Sequence, residues 1–153
     1  ADFARVIDRD FGPNDVEPIT WFWLEHGRSL SAGDYIESRQ WLAGYGRRIA
    51  QWWQEGFDLL LTPTMACPPP RLGIVNDPDR VADVTPALVR FTAAFNVTGQ
   101  PAVSLPFAWT DDALPVGIQL VGPYGREDLL LRLAAQVEEG RPWRGRRPAL
   151  FAA

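Results

Sequence analysis

The sequence predicts an α/β fold in which a small mixed sheet is flanked by helices. Short apolar runs bounded by proline or glycine, such as Val116–Val121, are typical of strands. Longer stretches with apolar residues three and four positions apart, such as the region from Ser31 to about Glu55, are typical of amphipathic helices. With 153 residues and a hydrophobic content of 46%, the chain is large enough for one domain with its own core.

Two helices are predicted in the first part of the chain. Glu17 and Pro18 favour a helix start, followed by helix over Ile19–Gly27, because proline suits the first turn. Ser31 is a good N-cap for the second helix, and Asp34 completes a capping-box-like pattern. The second helix is expected to bury one stripe, formed by Leu42, Tyr45, Ile49, Trp52 and Trp53.

Three strands and a last helix are predicted further along. Phe57–Thr62 has three consecutive leucines in its interior, which suits a strand buried on both faces. Pro101–Pro106 and Val116–Val121 are separated by a short polar turn, so we expect them to pair antiparallel. A helix over Arg126–Glu139 should follow, with an apolar face made of Leu130, Leu133, Ala134 and Val137.

The segment between the first two predicted strands combines a loop with one helix. Met65–Asp83 is rich in proline and is predicted to be a loop, and loops of this length are usually functional or held by partners. Thr85 and Pro86 are expected to begin the helix, as its cap and its first-turn proline. Asn96 and Gly99 suit its end, since both residue types tolerate a left-handed backbone.

Charge and composition exclude several classes of function. The net charge of −4 does not indicate a nucleic-acid-binding surface, and no apolar run approaches the roughly 20 residues that span a bilayer. The single cysteine, Cys67, rules out an internal disulfide and favours a reducing, cytoplasmic location. One histidine and scattered carboxylates provide no closely spaced ligand pair, so we expect neither a metal nor another cofactor.

Nucleophilic catalysis finds little support within this chain. All 15 basic residues are arginines, so a lysine base is absent. The serines, including Ser104 in a predicted strand, do not lie in a glycine-rich elbow of the kind that exposes a nucleophile. Cys67 with His26 is a conceivable pair, although a buried inert thiol and a histidine at a helix C-terminus are the commoner situations.

Several short strings occur in a specific order and spacing. They are Asp58–Thr64, Phe91–Asn96, Thr98–Ser104, Leu114–Gly122, Glu127–Leu130 and Pro142–Trp143. In this order they resemble the C-terminal part of the amidase-signature enzymes, over roughly residues 31–148. Val16–Pro18 is similar to the branch of that family that includes the nylon cyclic-dimer hydrolases.

The resemblance implies a fold and a chemistry. Members of the family have a large mixed sheet covered by helices on both sides, and they hydrolyse carboxylic amides through a Ser–cis-Ser–Lys triad. Their serine- and glycine-rich signature lies N-terminal to everything seen here, and this chain contains neither a lysine nor a Gly-Gly-Ser-Ser string. We therefore expect no catalytic residue in this chain, which resembles a C-terminal fragment or one chain of a split enzyme.

The same resemblance implies where substrate binds. In the family, the helix before the Gly-Gln-Pro strand helps to form the substrate pocket. In this chain, the residues just past the Thr-Pro-Thr turn are further candidates for the same pocket. The candidate substrate-binding residues are therefore Phe91, Thr92, Phe95 and Asn96, together with Thr64 and Cys67. Aromatic rings suit the apolar body of an amide, and an Asn side chain suits its polar group. The alternative is that Phe91 and Phe95 are core residues and Asn96 is a helix cap.

These observations lead to one expectation and two alternatives. We expect one unit, with a helical lead-in over residues 1–30, the family-like region over 31–148 and a tail over 149–153. It should serve as the substrate-pocket part of an amide hydrolase, inactive alone. We expect it to bind a small amide, together with either the N-terminal half of the enzyme or a second copy of the chain. Alternatively, the 65–83 loop covers the site. Neither nucleic acid nor a membrane is expected as a partner. The alternatives are a non-catalytic interaction module with a Trp-rich face and a self-sufficient hydrolase built on Cys67.

Overall fold

A computed structural model describes residues 12–77 and 79–147. Within them the helices are α1 (Pro18–Arg28), α2 (Ala32–Gln54), α3 (Val81–Val89), α4 (Ala93–Thr98) and α5 (Glu127–Gly140). The strands are β1 (Leu60–Pro63), β2 (Ala102–Trp109) and β3 (Pro115–Val121), and a short 3-10 turn covers Ile74–Asn76 in the loop after β1. Residues 1–11 of the expected lead-in and the tail over 149–153 lie outside the described residues.

The three strands form one sheet with β3 in the centre. Its order is β1-β3-β2, and β3 runs antiparallel to both neighbours. The α/β class and the antiparallel β2–β3 pair are confirmed. The expected mixture of parallel and antiparallel pairs is absent from the described sheet, because β1 and β2 run in the same direction but β3 lies between them.

Helix α5 covers one face of the sheet and creates the core. Leu105 of β2, Leu120 of β3 and Leu130 of α5 are buried together. The predicted apolar face of α5 is confirmed by the partly buried residues around this cluster, which include Leu133, Ala134, Val137 and the following Trp143. Apolar burial of this kind is the main force that holds the helix on the sheet.

Strand β1 differs from the prediction. It begins at Leu60 rather than Phe57, and the expectation of burial on both faces is wrong because the side chain of Leu61 is 61% exposed. Alternate residues of a strand face opposite sides, and β1 lies at an edge of the described sheet beyond the main α5 contact. Phe57 stays outside the strand and stacks on Trp52, with ring centroids 4.4 Å apart.

Helix α3 begins earlier than predicted. It starts at Val81, so the expectation that Thr85 and Pro86 open the helix is wrong, and Pro86 lies inside it. The backbone N–H groups of Asp83 and Val84 both donate to the Arg80 carbonyl, which closes the first turn upstream. Pro86 then removes only one helical donor, a cost that the remaining turns tolerate.

A break separates α3 from the short helix α4. One continuous helix was expected to deliver Phe91 to Asn96, but residues 90–92 form a turn between two helices. Gly99 ends α4 with a φ of 81°, as predicted for a left-handed C-terminus. Asn96 lies inside α4, where its backbone N–H donates to the Thr92 carbonyl, so the alternative in which Asn96 caps the helix is wrong.

The two N-terminal helices form where the sequence predicts them. Helix α1 has Pro18 in its first turn, and α2 begins with the predicted capping box between Ser31 and Asp34. Hydrogen bonds from the Ser31 hydroxyl and backbone N–H lower the pKa of Asp34 below its usual value. Within the described residues, no helix is long and apolar enough to cross a membrane.

The apolar stripe of α2 is less covered than predicted. Its residues are half-buried, and no residue of α2 is fully buried among the described parts of the chain. Among the described elements, α2 contacts α4, where Gly46 lies close to the Thr98 methyl group. The neighbouring helix has only 6 residues, whereas the stripe from Leu42 to Trp53 spans about three turns of α2, so part of the apolar face of α2 remains accessible.

Candidate functional site

A cavity of about 520 Å³ opens at one end of the sheet. The loop over 65–69 forms one wall, and the β2–β3 hairpin forms the other. Both walls are mostly apolar, and none of the described residues that line the cavity carries a charged side chain. The backbone N–H of Ala66 donates to the Ala87 carbonyl, which attaches the loop wall to α3. This size and lining suit a small, uncharged organic molecule.

Two hydroxyl groups lie at the floor of the cavity. Thr64 follows β1 and Ser104 belongs to β2, and their hydroxyl oxygens are 2.8 Å apart in a hydrogen bond. The backbone N–H of Thr64 donates to the Gly117 carbonyl at 3.1 Å, which continues the β1–β3 pairing up to the cavity. Strand pairing and this backbone hydrogen bond therefore fix the positions of both residues that carry the hydroxyls.

Gly117 lies beneath these hydroxyls and allows their close approach. A Cβ atom at this position would come within 2.8 Å of the Thr64 hydroxyl oxygen and 3.1 Å of the Ser104 hydroxyl oxygen. Contacts this short require the hydroxyls to move. The absence of a side chain at Gly117 is thus a steric requirement of the Thr64–Ser104 pair rather than a requirement for an unusual backbone angle.

Gln119 connects this face of the sheet to the segment between α3 and α4. Its side chain is 4% exposed, and its amide nitrogen donates to the Thr62 hydroxyl at 3.0 Å and to the Phe91 carbonyl at 2.8 Å. In the strand register Gln119 lies between Thr62 and Ser104. The cavity floor and the attachment point of Phe91 are therefore on the same face of the sheet.

The structure divides the predicted substrate-binding residues into two groups. Thr64 and Cys67 both line the cavity. The other four lie on the segment between α3 and the end of α4 and are not among the lining residues; they are Phe91, Thr92, Phe95 and Asn96. Phe91 and Thr92 are half-buried, Phe95 is 9% exposed, and Asn96 is exposed. The burial of Phe95 agrees with the alternative in which it is a core residue.

Three residues of the site were missed by sequence reasoning, namely Ser104, Gly117 and Gln119. Ser104 was considered only as a nucleophile. A detectable signal was present, since Gln119 is a polar residue between Ile118 and Leu120 in an otherwise apolar strand. A buried polar side chain needs hydrogen-bond partners, so its position alone indicates a contact with other parts of the chain.

Metal and thiol chemistry gain no support from the geometry. The described residues contain no group of three or more histidine, cysteine or carboxylate side chains placed to hold a metal ion. His26 lies in the last turn of α1, where its ring contacts Trp23, and it is not among the residues that line the cavity with Cys67. The Cys67–His26 pair considered above is therefore not assembled at this cavity.

Comparison with known proteins establishes the family. The Amidase family model matches residues 2–131, which is more than half of the chain, and the chain belongs to this family. It is similar to the 6-aminohexanoate-cyclic-dimer hydrolase of Paenarthrobacter ureafaciens, with 36% identity over 157 residues that cover 97% of this chain and 32% of that protein. It is also similar to the putative amidase AmiC of Mycobacterium tuberculosis, with 39% identity over 142 residues that cover 91% of this chain and 29% of that protein.

Solved structures agree with this assignment. A 6-aminohexanoate cyclic dimer hydrolase complexed with substrate has a TM-score of 0.86 and 34% identity, over 97% of this chain and 33% of that one. A crystal structure of an amidase has a TM-score of 0.63 and 28% identity, over 84% of this chain and 30% of that one. The chain spans about a third of the length of the curated relatives that it matches.

Proposed function

We propose that this chain provides part of the substrate pocket of a cytoplasmic hydrolase that cleaves carboxylic amide C–N bonds. The observation that carries the proposal is the similarity to named hydrolases and amidases over nearly the whole chain, which covers only a third of their length. The absence of lysine supports a second part of the proposal, which concerns the source of the catalytic residues. A Ser–cis-Ser–Lys centre has to come from residues N-terminal to this region, in the same polypeptide or in a second one.

We assign the cavity beside the sheet to the amide substrate. Its apolar walls suit the carbon skeleton of an amide, and Thr64 and Cys67 provide polarity next to them. The segment with Phe91, Thr92, Phe95 and Asn96 borders the same face of the sheet through the Gln119 bond to the Phe91 carbonyl. In this proposal, the exposed amide of Asn96 faces the catalytic part of the enzyme or the substrate itself.

The isolated 153-residue chain is expected not to hydrolyse 6-aminohexanoate cyclic dimer or simple aryl amides, because it lacks the lysine base. A longer protein that joins this chain to a Ser–cis-Ser–Lys region is expected to hydrolyse an amide under the same conditions. Product amines released over time measure both activities. Turnover by the isolated chain that is lost in Cys67→Ala would support the cysteine hydrolase instead. An inactive longer protein would favour the non-catalytic interaction module.

The exposed apolar surface supports a proposal about a macromolecular partner of the chain. Leu61 of the edge strand β1 is mostly exposed, and so are three apolar residues in the first half of α2, which are Tyr35, Ile36 and Trp41. Among the described residues, the buried Trp53 indole N–H has no hydrogen-bond partner. Exposed strand edges and large apolar patches are sites of association. We propose that the N-terminal half of the same enzyme covers these surfaces and that a second copy does so in its absence.

Sedimentation of the isolated chain over a dilution series is expected to show concentration-dependent association. Leu61→Lys should weaken this association, because a charge on an edge strand opposes pairing with another chain. Leu72→Lys is the matched control, since Leu72 is fully exposed in the loop after β1. A compact monomer that binds no hydrophobic dye, or equal effects of the two substitutions, would contradict this proposal.

A further inference from the structure

The two hydroxyls at the cavity floor form an incomplete hydrogen-bonding unit. Each hydroxyl has one O–H donor and two acceptor lone pairs. One of the two O–H groups is used in the 2.8 Å bond between Thr64 and Ser104. The other O–H remains available, and the hydroxyl that donates within the pair still has a free acceptor position. The pair therefore presents one donor and one acceptor side by side to the cavity that both residues line.

We propose that this hydroxyl pair binds an amide whose C=O and N–H lie on one edge, as they do in a lactam. One hydroxyl donates to the amide C=O, and the amide N–H donates to the other hydroxyl. With the Thr64–Ser104 bond, this makes a closed ring of three hydrogen bonds in which each member donates once and accepts once. Such rings are favourable because hydrogen bonds in a chain polarise one another. The inference rests on the proposed function, because it names the class of amide that the proposed substrate cavity binds.

Other ligand chemistries fit the pair less well. An open-chain secondary amide is trans, so its C=O and N–H point in opposite directions and cannot both reach adjacent hydroxyls. A carboxylate has no donor, and the lining residues that the structure describes offer no positive charge to balance it. The apolar walls, which include Pro106 and Leu114, suit the methylene groups of a lactam ring.

The first test compares three probes on the unmodified chain. ε-Caprolactam presents the required edge, N-methylcaprolactam lacks the N–H, and N-methylhexanamide has the N–H in the trans arrangement. Ligand-observed NMR titration measures all three affinities and tolerates association of the protein. Caprolactam is expected to bind about tenfold more tightly than either control, the factor that corresponds to one lost hydrogen bond. Equal affinities, or no binding of caprolactam, would overturn the proposal.

The second test places the binding at the hydroxyl pair. Thr64→Val preserves the shape of the side chain and removes its hydroxyl, and Ser104→Ala removes the other. Each is expected to weaken caprolactam binding about tenfold and to abolish the preference over N-methylcaprolactam. Thr20→Val, on the exposed side of α1, is the matched control and should leave both affinities unchanged. Retention of the preference in a folded Thr64→Val protein would place the site elsewhere and overturn the proposal.

Failure of this inference is distinguishable from failure of the proposed function. Selective lactam binding by a longer protein that hydrolyses no amide would support the hydroxyl site and contradict the hydrolase. Amide hydrolysis by a longer protein that does not prefer caprolactam over its N-methylated form would support the hydrolase and overturn the hydroxyl site.

Discussion

Leu130→Ala is expected to lower the free energy of unfolding by about 2–5 kcal/mol, the usual range for a buried leucine. Leu130 is 4% exposed and joins α5 to the sheet through Leu105 and Leu120. The truncation removes apolar contacts and leaves a cavity, because close-packed neighbours relax only in part. Urea denaturation measures the loss as a lower midpoint with an unchanged slope.

The neighbouring residue provides the control for this prediction. Leu131 is 70% exposed on the same helix, so Leu131→Ala is expected to change the free energy of unfolding by less than about 0.5 kcal/mol. Both substitutions change leucine to alanine within one turn of α5, so their helix-propensity effects cancel in the comparison. Similar losses in the two variants would show that α5 does not pack on the sheet in the orientation described.

Gln119→Leu is expected to lower the free energy of unfolding by about 1–3 kcal/mol, the cost of buried polar groups that lose their partner. Leucine occupies a similar volume, but it leaves the Phe91 carbonyl and the Thr62 hydroxyl without the bonds that Gln119 donates. The effect should be largest near the break between α3 and α4. Hydrogen exchange of the Phe95 and Asn96 amides, which should become faster, measures the local loss of stability. Urea denaturation measures the global loss.

Gln136→Leu is the matched control for Gln119→Leu. Gln136 is exposed on α5, so the same chemical change should alter stability by less than about 0.5 kcal/mol. It should also leave the exchange of the Phe95 amide unchanged. If Gln119→Leu were neutral while the protein remained folded, the side chain of Gln119 would not be the connection between the sheet and the α3–α4 segment.

The sequence by itself determined the local features of this protein. The Ser31–Asp34 capping box, the glycine stop at Gly99 and the apolar face of α5 all appear where they were predicted. Each depends on groups within a few positions of one another, so the pattern of residue types is sufficient information. The family was also identifiable from short strings in order, and the comparisons confirm it.

Only the tertiary structure decided the features that depend on distant contacts. The exposure of Leu61 follows from the edge position of β1, which its own apolar sequence does not reveal. The Thr64–Ser104 pair joins residues 40 positions apart, and the Gln119 bond to Phe91 joins residues 28 positions apart. Such contacts arise when strand pairing places side chains on one face. The choice of partner across the sheet depends on the register and packing of the whole fold rather than on local preference.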